Sequence, residues 1–502
     1  GLKKGDKIAI NARSSAAWAK LFYAAQAGGF VAVQIFNAFT PSDTENLVNH
    51  SESRILYTEK AIFEKMDFDR LPGLVAALDA KSGELLASRG AFSDLYNTKD
   101  EAFAKAHADG YGPDKVRFTP VGLDDIAAIM YTSGSTGNPK GVMLANRNLS
   151  MNIYFLPSHV PFKRGENYVS ILPYAHIFGM TVDMIAPLCY GMHLVVLGLP
   201  PIPANLKPAL REYKPRVFFS VPLVLTKLIE DTLGEFIHSK SGSAKLENYK
   251  NNPDFCNALR IIFDQALGGH IEMFATGGAA IPEHFEKLLV ERLQLPFITG
   301  YGMTETAPVI SIGHLGKYKL RECGEWIREG VDLKIDSSDP ARVPGEILVK
   351  GNIVFKGYYK NEEATASVFD KDGWFHTGDM GVMDKEGFLF LKGRSKCMIL
   401  GPSGQNIYPE EIEGVVNNVT YVVDSLVIED HGTLVSLIYP DYHQAELDGL
   451  SKEELEAKIQ ETLPEINKQI PNYAKIAKIE FLPEDFERTP KRSIKRYLYQ
   501  RN

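Results

Sequence analysis

One short stretch gathers most of what a phosphate group needs. Between Tyr131 and Gly141 the chain carries Thr132, Ser133, Gly134, Ser135, Thr136, Gly137 and Lys140. Glycines let backbone N–H groups come close to an anion, hydroxyls add donors, and the lysine adds a charge. The composition suits a cradle for phosphates. It is not the loop of the Walker type, which needs Ser or Thr after a Gly-Lys pair; Pro139-Lys140-Gly141 stands here instead. A polar surface loop has much the same composition, so this stretch decides nothing alone.

Further motifs follow in order. They are Ala275-Thr-Gly277-Gly278-Ala279-Ala-Ile-Pro282, Thr299-Gly-Tyr301-Gly302-Met-Thr304-Glu305, Gly373-Trp-Phe-His-Thr-Gly-Asp379, Gly393-Arg394-Ser-Lys396 and Gly404-Gln-Asn-Ile-Tyr408-Pro-Glu-Glu-Ile-Glu413. With the first loop they resemble the adenylate-forming (AMP-binding) superfamily over nearly the whole chain. Several motifs in family order are far more specific than any one of them. The resemblance implies ATP, Mg2+ and coenzyme A as cofactors. It implies that Glu305 holds the metal ion through a hard oxygen and that Thr304 donates to the α-phosphate. Gly277, Gly278 and Ala279 line the adenine side, and Tyr301 offers a flat face for the base beside Gly302. Asp379 accepts from the ribose hydroxyls and Arg394 adds a donor. Lys396 marks a hinge. Past it, Gly401, Gly404 and Tyr408 serve the second half-reaction with coenzyme A. Each residue alone has an ordinary structural explanation, as a turn cap, a helix start or a core ring.

Pro173-Tyr-Ala-His176-Ile-Phe178-Gly179-Met180 resembles the segment lining the acid pocket. The resemblance puts His176 near the acyl carboxylate. Amino-acid adenylating members place an aspartate after the aromatic residue, where Gly179 stands here. A buried ammonium without a carboxylate is costly, so an amino-acid substrate is disfavoured. Phe178 and Met180 suit an apolar acid. With Gly268-Gly269-His270 shortly before the Gly277-Gly278-Ala279-Ala280 loop, the sequence most resembles bacterial long-chain fatty-acid–CoA ligases. An aryl or medium-chain acid, or a carrier-protein acceptor in place of coenzyme A, is the alternative.

The resemblance breaks in the tail. Family members carry a lysine in a GKIxR-like segment that contacts the carboxylate and α-phosphate. Here the tail reads Thr489-Pro-Lys491-Arg-Ser493-Ile494-Lys495-Arg496-Tyr497. Aligning Ile494 and Arg496 puts Ser493 at the lysine position. Lys491 and Lys495 keep the same face of an extended strand but sit roughly 6–7 Å along it, so Lys495 is a candidate substitute. Nucleotide and acyl binding with impaired adenylation is therefore a further reading.

The elements that must position these residues are legible from patterning. The 502 residues exceed one ordinary core and suggest at least two domains. Apolar runs at 7–10, 31–35, 126–131, 168–172, 194–197 and 217–221 alternate with amphipathic segments such as 18–27 and 223–233. This predicts α/β architecture with parallel-rich sheets. A more antiparallel subdomain is expected around strands 331–335 and 345–350. After the hinge, helices at 409–417 and 451–463 and strands at 422–428 and 434–438 predict a small mobile α+β domain. Ser451 and Glu454 form a capping box there. The expected domains are 1–395 and 396–502. The polar stretch 239–252 reads as a mobile loop or insertion. The chain opens on a turn straight into a strand, which reads as entry partway into a domain truncated at its start.

A net charge of −8 with no basic cluster disfavours a nucleic-acid partner. The four cysteines form no CxxC pair, so neither a zinc site nor a disulfide framework follows, and a cytoplasmic, reducing interior is expected. No transmembrane segment is expected: prolines and His193 interrupt 184–203, read as a buried helix and a buried strand. Peripheral membrane contact stays open.

Overall fold

The computed structural model describes residues 2–132, 139–400, 405–489 and 493–501. Among these, a seven-stranded sheet is built mainly from parallel neighbours: Lys7–Asn11 lies between Val31–Gln34 and Ser53–Thr58. Ile126–Thr132 adds parallel to Val31–Gln34, and Lys140–Ala145 then returns antiparallel to it. A five-stranded sheet sets Val217–Ser220, Met273–Gly277 and Phe297–Gly302 in parallel, followed by antiparallel Val309–Ile312 and Glu325–Trp326. The third sheet is wholly antiparallel: Val331–Asp336, Gly345–Gly351, Phe375–Met383 and Leu389–Arg394. The expected change of rhythm is therefore present.

Beyond residue 400 a three-stranded sheet, Val422–Asp430, Thr433–Pro440 and Ile476–Phe481, has its own core with helices Pro409–Val416 and Lys452–Gln460. A large multi-sheet α/β domain thus precedes a small α+β domain. The Ser451–Glu454 capping box forms in both directions: Ser451 Oγ accepts from the Glu454 N–H at 3.2 Å, and the Ser451 N–H donates to the Glu454 carboxylate at 2.8 Å.

Four expectations need correction. The polar stretch 239–252 is not a loop: Ser239 caps helix Lys240–Glu247, whose Leu246 is buried, and a 3-10 turn Tyr249–Asn251 follows. Strand 168–172 ends at Ser170, because the N–H groups of Ile171 and Leu172 turn to a side chain instead. The strand at 194–197, expected buried, is half-buried His193–Val196 in a two-stranded sheet. The predicted helix 451–463 ends at Gln460, and a separate helix, Leu463–Gln469, begins beyond it. Among the described residues no helix is long and apolar enough to cross a membrane.

Candidate active site

The expected phosphate loop joins two antiparallel strands. Thr132 pairs with Lys140 and Tyr131 with Gly141, so the two flanking strands form an antiparallel pair. Ser133, Gly134, Ser135, Thr136 and Gly137 lie outside the described residues. Lys140 opens the return strand. Its ammonium stands 4.8 Å from the ring centroid of Tyr358.

Tyr358 is the residue that sequence reasoning missed. Segment 355–359 runs along the outer edge of the return strand: the Met143 N–H donates to the Gly357 carbonyl at 3.0 Å and the Tyr359 N–H to that of Gly141 at 2.7 Å. The Phe355 N–H donates to the Glu305 carbonyl at 2.9 Å. These bonds bring the Tyr358 hydroxyl onto Glu305, donating to the carboxylate at 3.0 Å. Burial, then the Glu305 charge, pushes this phenol well above its usual range, so it is a donor at all ordinary pH.

Glu305 sits in the 3-10 turn Thr304–Thr306, at the end of strand Phe297–Gly302, and both Thr304 and Glu305 are buried. Gly302 makes the turn possible: a Cβ there falls 1.8 Å from the Pro308 carbonyl oxygen. Gly277 ends the neighbouring strand in register with Gly300, and the Phe178 ring lies 3.7 Å from where its Cβ would be. Gly278 takes φ of 83°, which favours glycine, and Ala279 is the exposed residue after it.

Asp379 and Arg394 face each other directly across the antiparallel pair. The Arg394 Nε lies 2.8 Å from one carboxylate oxygen. The Tyr301 hydroxyl donates to the other at 2.7 Å. Burial raises the Asp379 pKa, and Arg394 and Tyr301 oppose that shift. Tyr301 departs from expectation: its ring is buried, in the same core as Ile298, Val309 and Ile310, so the hydroxyl is what it presents. Glu346 braces this corner, accepting from the Gly378 N–H at 2.9 Å and lying 2.8 Å from His376 Nδ1.

His176, expected on the acid side, caps helix Ile177–Met180, its Nδ1 accepting from the Phe178 N–H at 3.2 Å. The proton of the neutral ring then resides on Nε2. The half-buried Phe178 ring meets Phe219 edge-on at 6.0 Å. Gly179 and Met180 do not open onto a pocket as expected. A Cβ on Gly179 would stand 2.1 Å from the Pro173 carbonyl oxygen, and Met180 is buried with its sulfur against the Gln34 amide. Two surface grooves, of about 610 and 440 Å³, lie around Arg260–His270 and around Lys4–Phe30, apart from these residues.

Lys396 occupies a short 3-10 turn, Ser395–Cys397, immediately after Arg394. Gly401 and Gly404 lie outside the described residues, between strands Ile399–Leu400 and Asn406–Ile407. Tyr408 is buried at the start of helix Pro409–Val416. That helix touches the large domain: Lys392 pairs with Glu411 at 2.8 Å, and His284 Nδ1 lies 2.8 Å from Asn418 Oδ1 just beyond its end.

The tail doubles back on itself. The Thr489 N–H donates to the Ser493 carbonyl and the Lys495 N–H to that of Glu487, both at 2.8 Å. Ser493 is exposed. Arg496, also missed from sequence, pairs with buried Glu413 and stands 3.8 Å from Glu410. It ties the tail to helix Pro409–Val416. Lys491 lies outside the described residues.

Residues 1–359 match the family model described as AMP-binding enzyme, and residues 398–502 the model for the AMP-binding enzyme C-terminal domain. The chain belongs to the AMP-binding enzyme family. It is 28% identical to the long-chain-fatty-acid–CoA ligase FadD15 of Mycobacterium bovis, over 99% of this chain and 86% of that protein. It is 28% identical to the chloroplastic long-chain-fatty-acid–[acyl-carrier-protein] ligase AEE15 of Arabidopsis thaliana, over 89% of this chain and 70% of that one. In fold it is similar to ATP-bound MatB from Rhodopseudomonas palustris, with a TM-score of 0.75 at 23% identity, covering 99% of this chain and 89% of that one. The protein is an adenylate-forming ligase that uses ATP and Mg2+.

The donor set fits a magnesium ion carried in with a nucleotide. Among the described residues no group of three or more His, Cys, Asp or Glu side chains could cage a metal alone. Glu305 supplies one hard carboxylate, and Mg2+ bound with nucleotides takes one or two protein carboxylates, phosphate oxygens and water.

Proposed function

We propose that this protein joins a fatty acid to coenzyme A, with Lys140, Glu305, Asp379 and Arg394 on the nucleotide and the His176–Phe178 turn at the acid. The observation that carries the reading is the bridge from Lys140 across Tyr358 to Glu305. It sets a cation and a hard anion on either side of one phenol, at the end of the antiparallel pair that flanks the phosphate loop.

In the first step the acid carboxylate attacks the α-phosphate of ATP and pyrophosphate leaves. Lys140 and the Thr304 hydroxyl offset charge on the phosphates, and Mg2+ at Glu305 supplies further electrostatic stabilisation when bound. Asp379 takes the ribose hydroxyls and Arg394 closes over them. In the second step the coenzyme A thiol attacks the acyl-adenylate carbonyl and AMP leaves. Between the steps domain 396–502 turns about Lys396 against domain 1–395, bringing the segment of Gly401, Gly404 and Tyr408 to the site.

An apolar acid is favoured by the acid-side turn. The backbone leaves no room for a side chain at 179, and Asp183 nearby is fully engaged by four donors. A substrate ammonium has no free carboxylate among them, while Phe178 and Phe219 offer aromatic surface. The ligase relative named for an acyl-carrier-protein acceptor motivates a second reading, transfer to such a carrier. A cytoplasmic location agrees with four free cysteines.

The test is acid-dependent ATP–pyrophosphate exchange with acids from acetate to palmitate, followed by a thioester assay with coenzyme A and with a carrier protein. Exchange should rise with chain length and the thioester should form on coenzyme A. Exchange with aryl or short acids alone would reject the fatty-acid reading.

A further inference from the structure

Asp183 takes no part in the chemistry above, yet it is 0% exposed. It sits in a single π-helical turn, Thr181–Ile185, between helices Ile177–Met180 and Ala186–Cys189. Such widened turns occur frequently at functional sites. Its neighbours Val182, Met184 and Ile185 are apolar and buried, and an apolar side chain at 183 would suit the run.

The carboxylate reaches back to the strand that precedes the acid-side turn. One oxygen accepts from the Tyr168 hydroxyl at 2.7 Å. The other accepts from the Ser170 hydroxyl at 2.7 Å and from the N–H groups of Ile171 and Leu172 at 2.9 and 2.8 Å. Four donors and no acceptor match the ionised group. Burial raises its pKa to about 6, which leaves it ionised at neutral pH.

His176 rides on the segment between these two anchors. On the strand side Asp183 holds residues 171 and 172. On the helix side the Met180 N–H donates to the His176 carbonyl at 2.8 Å, and the bare Cα of Gly179 packs against Pro173. Ser14 Oγ accepts from the Tyr174 N–H at 2.8 Å, and the Tyr174 hydroxyl lies 2.9 Å from Ser170 Oγ. One carboxylate therefore joins both ends of the loop.

We propose that Asp183 is a positioning residue that fixes the orientation of the His176 imidazole. Its consequence for the acid half of the site rests on the reading of His176 given above.

The test uses full-length protein labelled with 15N-histidine, the His176 ring signals being assigned with His176→Gln. Asp183→Asn keeps the volume and sets an amide where donors converge. It should shift the His176 ring nitrogens and lower exchange at least tenfold at subsaturating acid, with KM for ATP changed less than twofold. Tyr168→Phe removes one donor and leaves the backbone bonds; it should move both readouts the same way by less, and it serves if Asp183→Asn does not fold. In a His176→Ala background neither substitution should lower exchange further. Unmoved His176 signals, or losses that multiply with that of His176→Ala, would overturn the proposal. Shifted signals with full exchange in His176→Ala would uphold the positioning and reject the role given to His176.

Discussion

Lys495 Nζ lies 3.1 Å from a carboxylate oxygen of Glu487, in the same doubled-back tail that carries Ser493. One of the two lysines flanking the family position thus has a partner within its own domain. The Glu487 side chain is 66% exposed, so solvent screens the pair and it holds Lys495 only loosely. What Ser493 lacks is a charge, and charge placed at the reacting oxygens is worth a few kcal/mol of barrier. Ser493→Lys is expected to raise acid-dependent ATP–pyrophosphate exchange roughly ten- to a hundredfold, on that scale. Thioester formation from supplied acyl-adenylate should stay unchanged. Equal exchange in both proteins would show that position 493 is not the adenylating position.

Tyr358→Phe separates the two halves of the Lys140–Glu305 bridge. The ring under Lys140 stays and the donor to Glu305 goes. Losing one hydrogen bond to a charged acceptor costs about 1.5–3 kcal/mol where the acceptor stays buried. The expected result is a KM for MgATP raised about tenfold, a change of 1.4 kcal/mol, with KM for the acid unchanged. Magnesium titration at fixed ATP gives the second readout. A loss confined to the acid KM would contradict the placement of Glu305 on the nucleotide.

The sequence shows motifs whose residues are neighbours along the chain, and hides partners that only folding brings together. Asp379 and Arg394 stand out in the sequence as candidates, and their pairing follows from one antiparallel register. Tyr358 does not, since it reaches Glu305 across 53 residues through an edge pairing no local pattern announces. Arg496 meets Glu413 across 83 residues. Asp183 did leave a signal. A lone acid inside an apolar helical run must find donors or cost folding dearly, and Tyr168 and Ser170 stand shortly upstream. Strand ends erred where side chains compete for the backbone, as at Ile171 and Leu172.

Two glycines of the proposed nucleotide site should respond very differently to alanine. At Gly302 the added Cβ falls 1.8 Å from the Pro308 carbonyl oxygen, so the backbone carrying Thr304 and Glu305 must move. At Gly278 nothing lies within 4 Å, and the cost is only the left-handed φ of 83°. That strain is about 1–2 kcal/mol. Gly302→Ala is therefore expected to abolish exchange or folding, and Gly278→Ala to lower the melting temperature by a few degrees while keeping the fold. Thermal denaturation and exchange assays on both variants check this; comparable losses would mean the turn at 302 can relax.

Glu322 gives the chain a measurable pH dependence. Glu322 is buried next to strand Phe297–Gly302: the Thr299 hydroxyl donates to its backbone carbonyl at 2.9 Å, and one oxygen of its side-chain carboxyl has no hydrogen-bond partner among the described residues. Burial, followed by the nearby charges of Glu286 and Glu325, outweighs the Gly324 N–H and Lys319 and raises its pKa from 4.5 to about 8. A raised carboxyl means that the folded state holds the proton that the unfolded chain has released. Its contribution to stability is fully present below pH 4.5 and is lost as pH rises through 8. The slope in that window approaches about 1.4 kcal/mol per pH unit for one proton. Glu322→Gln keeps the neutral shape and does not titrate. Urea denaturation at pH 5, 6, 7 and 8 should show the variant gaining on the parent protein at each step, with the largest advantage at the highest pH. Parallel curves across that range would mean that Glu322 is ionised in the folded chain and that the Glu286–Glu322 corner holds its charge by rearrangement.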